Sequence, residues 1–221
     1  MSPPTSLTGW LHNWFFAGDE CEPDAVQRRL FDIGIATIGL MTFSPLLALI
    51  ALLIKLESPG PVFFKQKRVG KDGRPFEMYK FRSMRSAPAG LSSVPEVEDI
   101  QSFTFRPPNF ASRVTIIGRT LRACSLDEMA NLLNVLKGDM HLVGPRPDEP
   151  ELVAQYLPEY HARHKVKPGI TGLAQIHGRA DLTYQKIMAY DLEYVNEHSF
   201  ARDVRIMLST LRVVLRREGA R

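Results

Sequence analysis

The sequence predicts an α+β protein: a helical domain carrying a short β-hairpin over residues 58–221, attached to a membrane helix over 28–57, behind an extension of different character at 1–27. Three observations predict it. An apolar run follows Arg28-Arg29 and reaches Ile54, broken only by Asp32 and a few small polar residues. Alternating stretches flank Gly70-Lys71-Asp72-Gly73, which has the turn chemistry of a hairpin tip. Apolar residues then recur at helical spacing after Ser125, from Thr183 and after Ser199.

The bulk numbers set the partners. With 221 residues and a 44% hydrophobic fraction, the chain builds one ordinary core beside its membrane element. A net charge of +4 and an isoelectric point near 9.1 favour anionic partners: phosphates, anionic lipid or nucleic acid. The six histidines show no zinc spacing, and Cys21 and Cys124 make no disulfide framework, which fits a reducing compartment. Residues 1–27 hold no Lys or Arg, so they are not expected to act as a cleavable signal peptide.

The apolar run is long enough to span a bilayer, and hydropathy alone favours a crossing. Two features point the other way. Pro45, after Ser44, removes a backbone hydrogen bond in mid-helix and bends it. Arg28, Arg29 and Lys55 place cations at both ends, so charge sets no direction of crossing. A helix broken at Ser44-Pro45 returns to the face it entered from, with Arg28 and Arg29 at lipid headgroups.

In the hairpin's second strand, Lys80 and Arg82 share one face. They read either as a polybasic patch on anionic lipid or as ligands of a bound phosphate. Residues 86–112 are rich in Pro and Ser and read as a long loop.

Ser125-Leu126-Asp127-Glu128 opens the next helix, which Gly138 stops. Ser125 with Glu128 three residues on is a capping box, the structural account of Glu128. It does not account for Asp127. A first-turn carboxylate stays ionised beside free N–H groups, and serves as a covalent nucleophile or as a ligand for Mg²⁺. Cys124 has no activating His in the motif, so the carboxylate is preferred over the thiol. Prolines on both sides of Arg146 restrict where its guanidinium points, which suits bidentate recognition of phosphate. The stretch Pro168-Gly169-Ile170-Thr171-Gly172 brings backbone close to a ligand, with Thr171 and Gln175 offering hydrogen bonds. Asp191 falls on or beside the apolar face of its helix and requires an arginine or a metal as partner. The last helix pairs an apolar stripe, from Val204 to Leu215, with surrounding arginines and is expected to lie on a membrane surface.

The series Gly60-Pro61-Val62-Phe63-Phe64-Lys65-Gln66, Tyr79-Lys80-Phe81-Arg82-Ser83-Met84, Leu121-Arg122, Ser125-Leu126-Asp127-Glu128, Asn134-Val135-Leu136-Lys137-Gly138-Asp139-Met140, Val143-Gly144-Pro145-Arg146-Pro147 and Lys167-Pro168-Gly169-Ile170-Thr171-Gly172 resembles the bacterial sugar transferases, the monotopic phosphoglycosyl transferases that act on polyprenyl phosphate. The likeness covers roughly Arg28 to Arg217 and lies in the order of the motifs. It implies a re-entrant helix, a cytosolic catalytic domain and a place at the bacterial inner membrane, with the site on the cytoplasmic face. It also implies the reaction: Asp127 attacks the β-phosphate of a UDP-sugar, UMP leaves, and polyprenyl (undecaprenyl) phosphate takes the sugar phosphate. That is the first membrane step of exopolysaccharide, O-antigen or glycoprotein glycan assembly. Glu128 completes the catalytic pair, Mg²⁺ at Asp127 offsets diphosphate charge, and Lys80, Arg82, Arg122, Arg146, Gln175 and Asp191 serve the substrate side.

Three rivals stand against it. A non-catalytic adaptor would use the basic hairpin on anionic lipid. A glycoside hydrolase would need its two carboxylates on opposite sides of one bond, which adjacent residues at a helix start serve poorly. A nucleic-acid binder would carry a binding motif, and none is present.

Overall fold

The computed structural model describes residues 24–85, 97–104, 113–178 and 181–215. Most of the 1–27 extension and most of the 86–112 loop lie outside the described residues. The architecture mixes helix with two small two-stranded sheets.

Helix α1 runs from Ala25 to Glu57, 33 residues, or about 50 Å at the usual rise. It continues through Ser44-Pro45, so the expected interruption is absent. Pro45 has no N–H for the Met41 carbonyl, and Ser44 Oγ donates to that oxygen at 2.8 Å instead.

Both ends of α1 pack on the rest of the protein, and its middle does not. Arg28, Arg29, Asp32 and Ala36 are buried near one end, and Ile50 and Ile54 near the other. Between them Ile38, Met41, Phe43 and Leu49 are exposed, Met41 by 71%. Arg28 and Arg29 are therefore not at headgroups. Each is about as buried as the core, at 2% and 1% exposure. Arg28 pairs with Asp203 at 2.8 Å, and Arg29 donates to the carbonyls of Val135 and Leu136 at 2.6 and 2.9 Å. Asp32 accepts from Leu142 N at 3.1 Å and meets His141 Nδ1 at 2.5 Å. An apolar sequence around a few charges reads as lipid-facing, but these charges are met by protein partners distant in the chain.

The hairpin forms as expected. Strand β1 (Phe63–Val69) pairs antiparallel with β2 (Pro75–Phe81), Phe64 facing Lys80 across the ladder. Asp72 and Gly73 take positive φ at its tip. Helices α2 (Ile116–Ala123) and α3 (Leu132–Lys137) follow. Asn134 of α3 seals the open edge of β2, accepting from Tyr79 N at 2.9 Å and donating to Glu77 O at 2.7 Å.

Strand β3 (His141–Val143) runs parallel to β4 (Gly169–Thr171). Here Gly144, Gly169 and Gly172 bring backbone against backbone: a Cβ on Gly169 would stand 2.0 Å from Gly144 N. These glycines are required by this crossing, whatever else approaches them. Thr171 Oγ1 is likewise engaged, 2.7 Å from Thr210 Oγ1.

The remaining helices are α4 (Pro150–Val153), α5 (Leu173–Ile176), α6 (Tyr184–Glu197) and α7 (Phe200–Leu215). Ser199 Oγ accepts from Arg202 N at the start of α7. Ile206 faces the core, whereas Leu208 and Leu211 of the expected stripe are more than 60% exposed. The described part of the long loop docks on α6, where Phe103 O and Gln101 O accept from Tyr184 N and Gln185 N.

Candidate active site

The acidic pair does not open an α-helix. Ser125 takes a left-handed φ of 55° and caps nothing with its side chain, and Leu126–Asn131 forms a 3-10 helix leading into α3. The capping box is therefore absent, and Glu128 is released for other partners. Arg146 takes it with both arms, one at 3.1 Å, and Lys80 Nζ lies 3.6 Å from the same carboxylate.

Asp127 is different. Among the described residues, no hydrogen bond or ion pair engages its half-buried carboxylate, yet Lys80, Arg146 and Arg122 are near enough to act on it. Burial raises its pKa, and the neighbouring Glu128 adds to the rise, while those three cations oppose it. A helix terminus is expected to hold Asp127 ionised, and burial instead works against its charge. Burial also pushes Lys80 down to about 8, with Arg146 and Arg68 contributing and Glu128 resisting. Glu128 holds the Arg146 guanidinium charged more firmly than usual. Arg122, at the end of α2, rests its guanidinium 3.3 Å from Met84 Sδ.

The Arg146 loop is braced from beneath by two arginines that sequence reasoning missed. Arg163 donates to Arg146 O at 2.6 Å, and Arg68 to Pro147 O at 3.2 Å. Arg163 is itself surrounded: by Asp148, by the Tyr156 hydroxyl at 2.6 Å and by Asp191 at 2.6 Å. Tyr156 and Tyr184 donate to Asp148 as well. The one available signal was Asp148, two residues past Arg146 in the same proline-held stretch. Arg163 sits in a stretch with no motif.

The structure thus brings together Asp127, Glu128, Lys80, Arg122 and Arg146, and gives two expected members, Asp191 and Arg82, other partners. Asp191 is 1% exposed and pairs with Arg163, so it supports the loop and does not line the site. Burial lifts its pKa to about 6, against the pull of Arg163. Arg82 caps the C-terminal end of α1, donating to Ile54 O, Ser58 O and Pro59 O at 3.2, 2.7 and 3.0 Å. Gln175 lies on α5 beside Gly172, and among the described residues neither polar atom of its buried amide meets a hydrogen-bond partner.

Among the described residues, no group of three or more His, Cys, Asp or Glu side chains forms a metal cage. That donor set fits Mg²⁺ in one manner: the single free carboxylate of Asp127 with the oxygens of a bound diphosphate and water.

Residues 23–217 match the family model for bacterial sugar transferases. The chain belongs to the bacterial sugar transferase family. The transferase is 41% identical over 204 residues to the UDP-glucose:undecaprenyl-phosphate glucose-1-phosphate transferase of Caulobacter vibrioides, with 88% of this chain and 72% of that protein covered. It is 43% identical over 192 residues to the Escherichia coli K12 protein of the same name, covering 83% of this chain and 39% of the relative. It is 41% identical over 199 residues to the exopolysaccharide production protein PSS of Rhizobium leguminosarum, covering 85% and 94%. The transferase thus spans nearly all of some curated relatives and less than half of others.

Proposed function

We propose that the transferase moves a sugar-1-phosphate from a UDP-sugar to undecaprenyl phosphate through a covalent phosphosugar on Asp127. One observation carries this reading: of two adjacent carboxylates in a cationic cluster, Glu128 is committed to Arg146 and Lys80, and among the described residues Asp127 makes no hydrogen bond or ion pair. The names of the relatives support the donor and acceptor classes.

An oxygen of Asp127 attacks the β-phosphorus, the bond from that phosphorus to the α-phosphate bridging oxygen breaks, and UMP leaves with the electron pair. A phosphate oxygen of the lipid then attacks the same phosphorus, breaks the bond to Asp127, and restores the carboxylate. Arg146, Lys80 and Arg122 stabilise the charge that builds on the phosphoryl oxygens. Glu128 fixes Arg146 and Lys80 in place. Mg²⁺, held by Asp127 and the diphosphate, would supply further charge neutralisation.

The membrane reading rests on packing. A spanning helix leaves its two ends in different compartments, yet both ends of α1 lie against one catalytic unit: Arg29 on α3, and Ile50 and Ile54 in a cluster with Phe81, Leu121 and Ala130. This packing supports an arrangement in which the exposed apolar middle lies in one leaflet with both ends on one face, and the cytosolic supply of UDP-sugars favours the cytoplasmic one.

The test is to incubate the full chain in detergent with a panel of UDP-sugars and Mg²⁺. UMP release with an intact-mass gain of one sugar phosphate, located on Asp127 by peptide mapping, is expected. UMP release without any adduct on Asp127 would overturn the covalent step.

A further inference from the structure

We infer that Arg163 is a positioning residue that sets the site through the backbone of Arg146; this deepens the function proposed above and rests on Arg146 contacting the donor phosphates. Arg163 is 3% exposed and touches no part of the acidic pair. Its Nη1 meets Asp148 and the Tyr156 hydroxyl, and its Nη2 lies between Asp191 and the Arg146 carbonyl. Asp148, Asp191 and the Tyr156 hydroxyl surround it, and Nη2 reaches Arg146 O at 2.6 Å.

The geometry explains the need for an arginine. Two carboxylates from different elements, one before α4 and one in α6, converge on a planar fork with a donor left for the carbonyl. A lysine carries the charge but presents one point, so it cannot hold both carboxylates and the carbonyl. Arg146 O lies between Pro145 and Pro147, whose rings remove most local backbone freedom. A shift at this carbonyl therefore moves the Arg146 side chain as a unit, together with the Glu128 it grips. Displacements of about 1 Å in such groups cost on the order of 10²-fold in rate.

The same brace continues to the loop segment 97–104. Tyr184, which donates to Asp148, gives its backbone N–H to Phe103 O at 2.7 Å, and Phe103 packs on the Tyr184 ring.

A double-mutant cycle tests the assignment. UMP release is measured for Arg163→Lys, Arg146→Lys and the pair, each well below its own unfolding temperature. Arg163→Lys is expected to lower kcat/KM by about 10²-fold, and the double variant is expected to fall within about threefold of Arg146→Lys alone. Losses that multiply would show that Arg163 acts independently of Arg146 and overturn the inference. An Arg146→Lys variant with full activity would instead overturn the role of Arg146 beneath it. Asp191→Asn, of the same shape as the native residue, gives a second cycle with the same expectations if Arg163→Lys does not fold.

Discussion

Arg146 grips Glu128 with both arms of its guanidinium, whereas among the described residues no hydrogen bond or ion pair engages its neighbour Asp127. Two adjacent carboxylates thereby differ, one holding cations and the other without a direct partner.

Replacing Asp127 with Asn is expected to reduce UMP release on the order of 10³-fold or more and to abolish the adduct. Stability moves the other way. Burial and Glu128 raise the Asp127 pKa, so its ionised form opposes folding above that pKa, and the neutral amide removes the opposition. The unfolding midpoint of Asp127→Asn is therefore expected to equal or exceed that of the native chain. A large fall in midpoint would mark Asp127 as a structural residue.

Lys80, at about 8, sets the alkaline side of the pH profile. If, as proposed, its cation binds the donor phosphate, kcat/KM for the UDP-sugar is expected to decline as pH rises through about 8. Because Glu128 raises the Lys80 pKa, Glu128→Gln is expected to move that decline to lower pH, and Lys80→Arg to move it beyond the accessible range. For stability the sign is opposite. A lysine lowered by folding binds its proton less well than in the unfolded chain, so the cost is full below about 8 and fades between there and the usual lysine range.

Arg82 separates sequence expectation from structural finding. As a cap on the end of α1, its replacement by Ala is expected to cost about 2–3 kcal/mol of stability, from unmet carbonyls, while the KM for the UDP-sugar stays within about threefold. A phosphate ligand would show the reverse, with normal thermal unfolding and a raised KM.

Arg29→Met is expected to cost roughly 2–4 kcal/mol by stripping donors from Val135 O and Leu136 O. A headgroup role would leave thermal stability unchanged and reduce only recovery with membranes.

In a chain lacking its native cysteines, single cysteines at Val26 and Ser58 are expected to react with an impermeant thiol reagent from the same side of sealed vesicles. Labelling from opposite sides would establish a crossing and sink the re-entrant arrangement.

What was legible in the sequence was whatever is local. The hairpin turn, the apolar run and the helices from Tyr184 and Phe200 are short-range patterns, and each appears where expected. What was not legible was partner choice over long separations. Arg28 and Arg29 beside an apolar run read as headgroup ligands because nothing nearby reveals Asp203 or the end of α3, more than a hundred residues on. Glu128 read as a cap because Ser125 stands three residues before it, and only the left-handed backbone at Ser125 cancels that. Lys80 and Arg82 share a face by alternation, yet the strand ends at Phe81, and beyond it Arg82 turns to α1.

The Ser44 hydroxyl on Met41 O has a bearing on solvation. In oil, a peptide oxygen stripped of its donor has no water to turn to, and proline creates such an oxygen wherever it enters a helix. Near the middle of α1 a serine next to the proline supplies the missing donor from within the turn, so this exposed apolar stretch carries no unmet carbonyl at its proline.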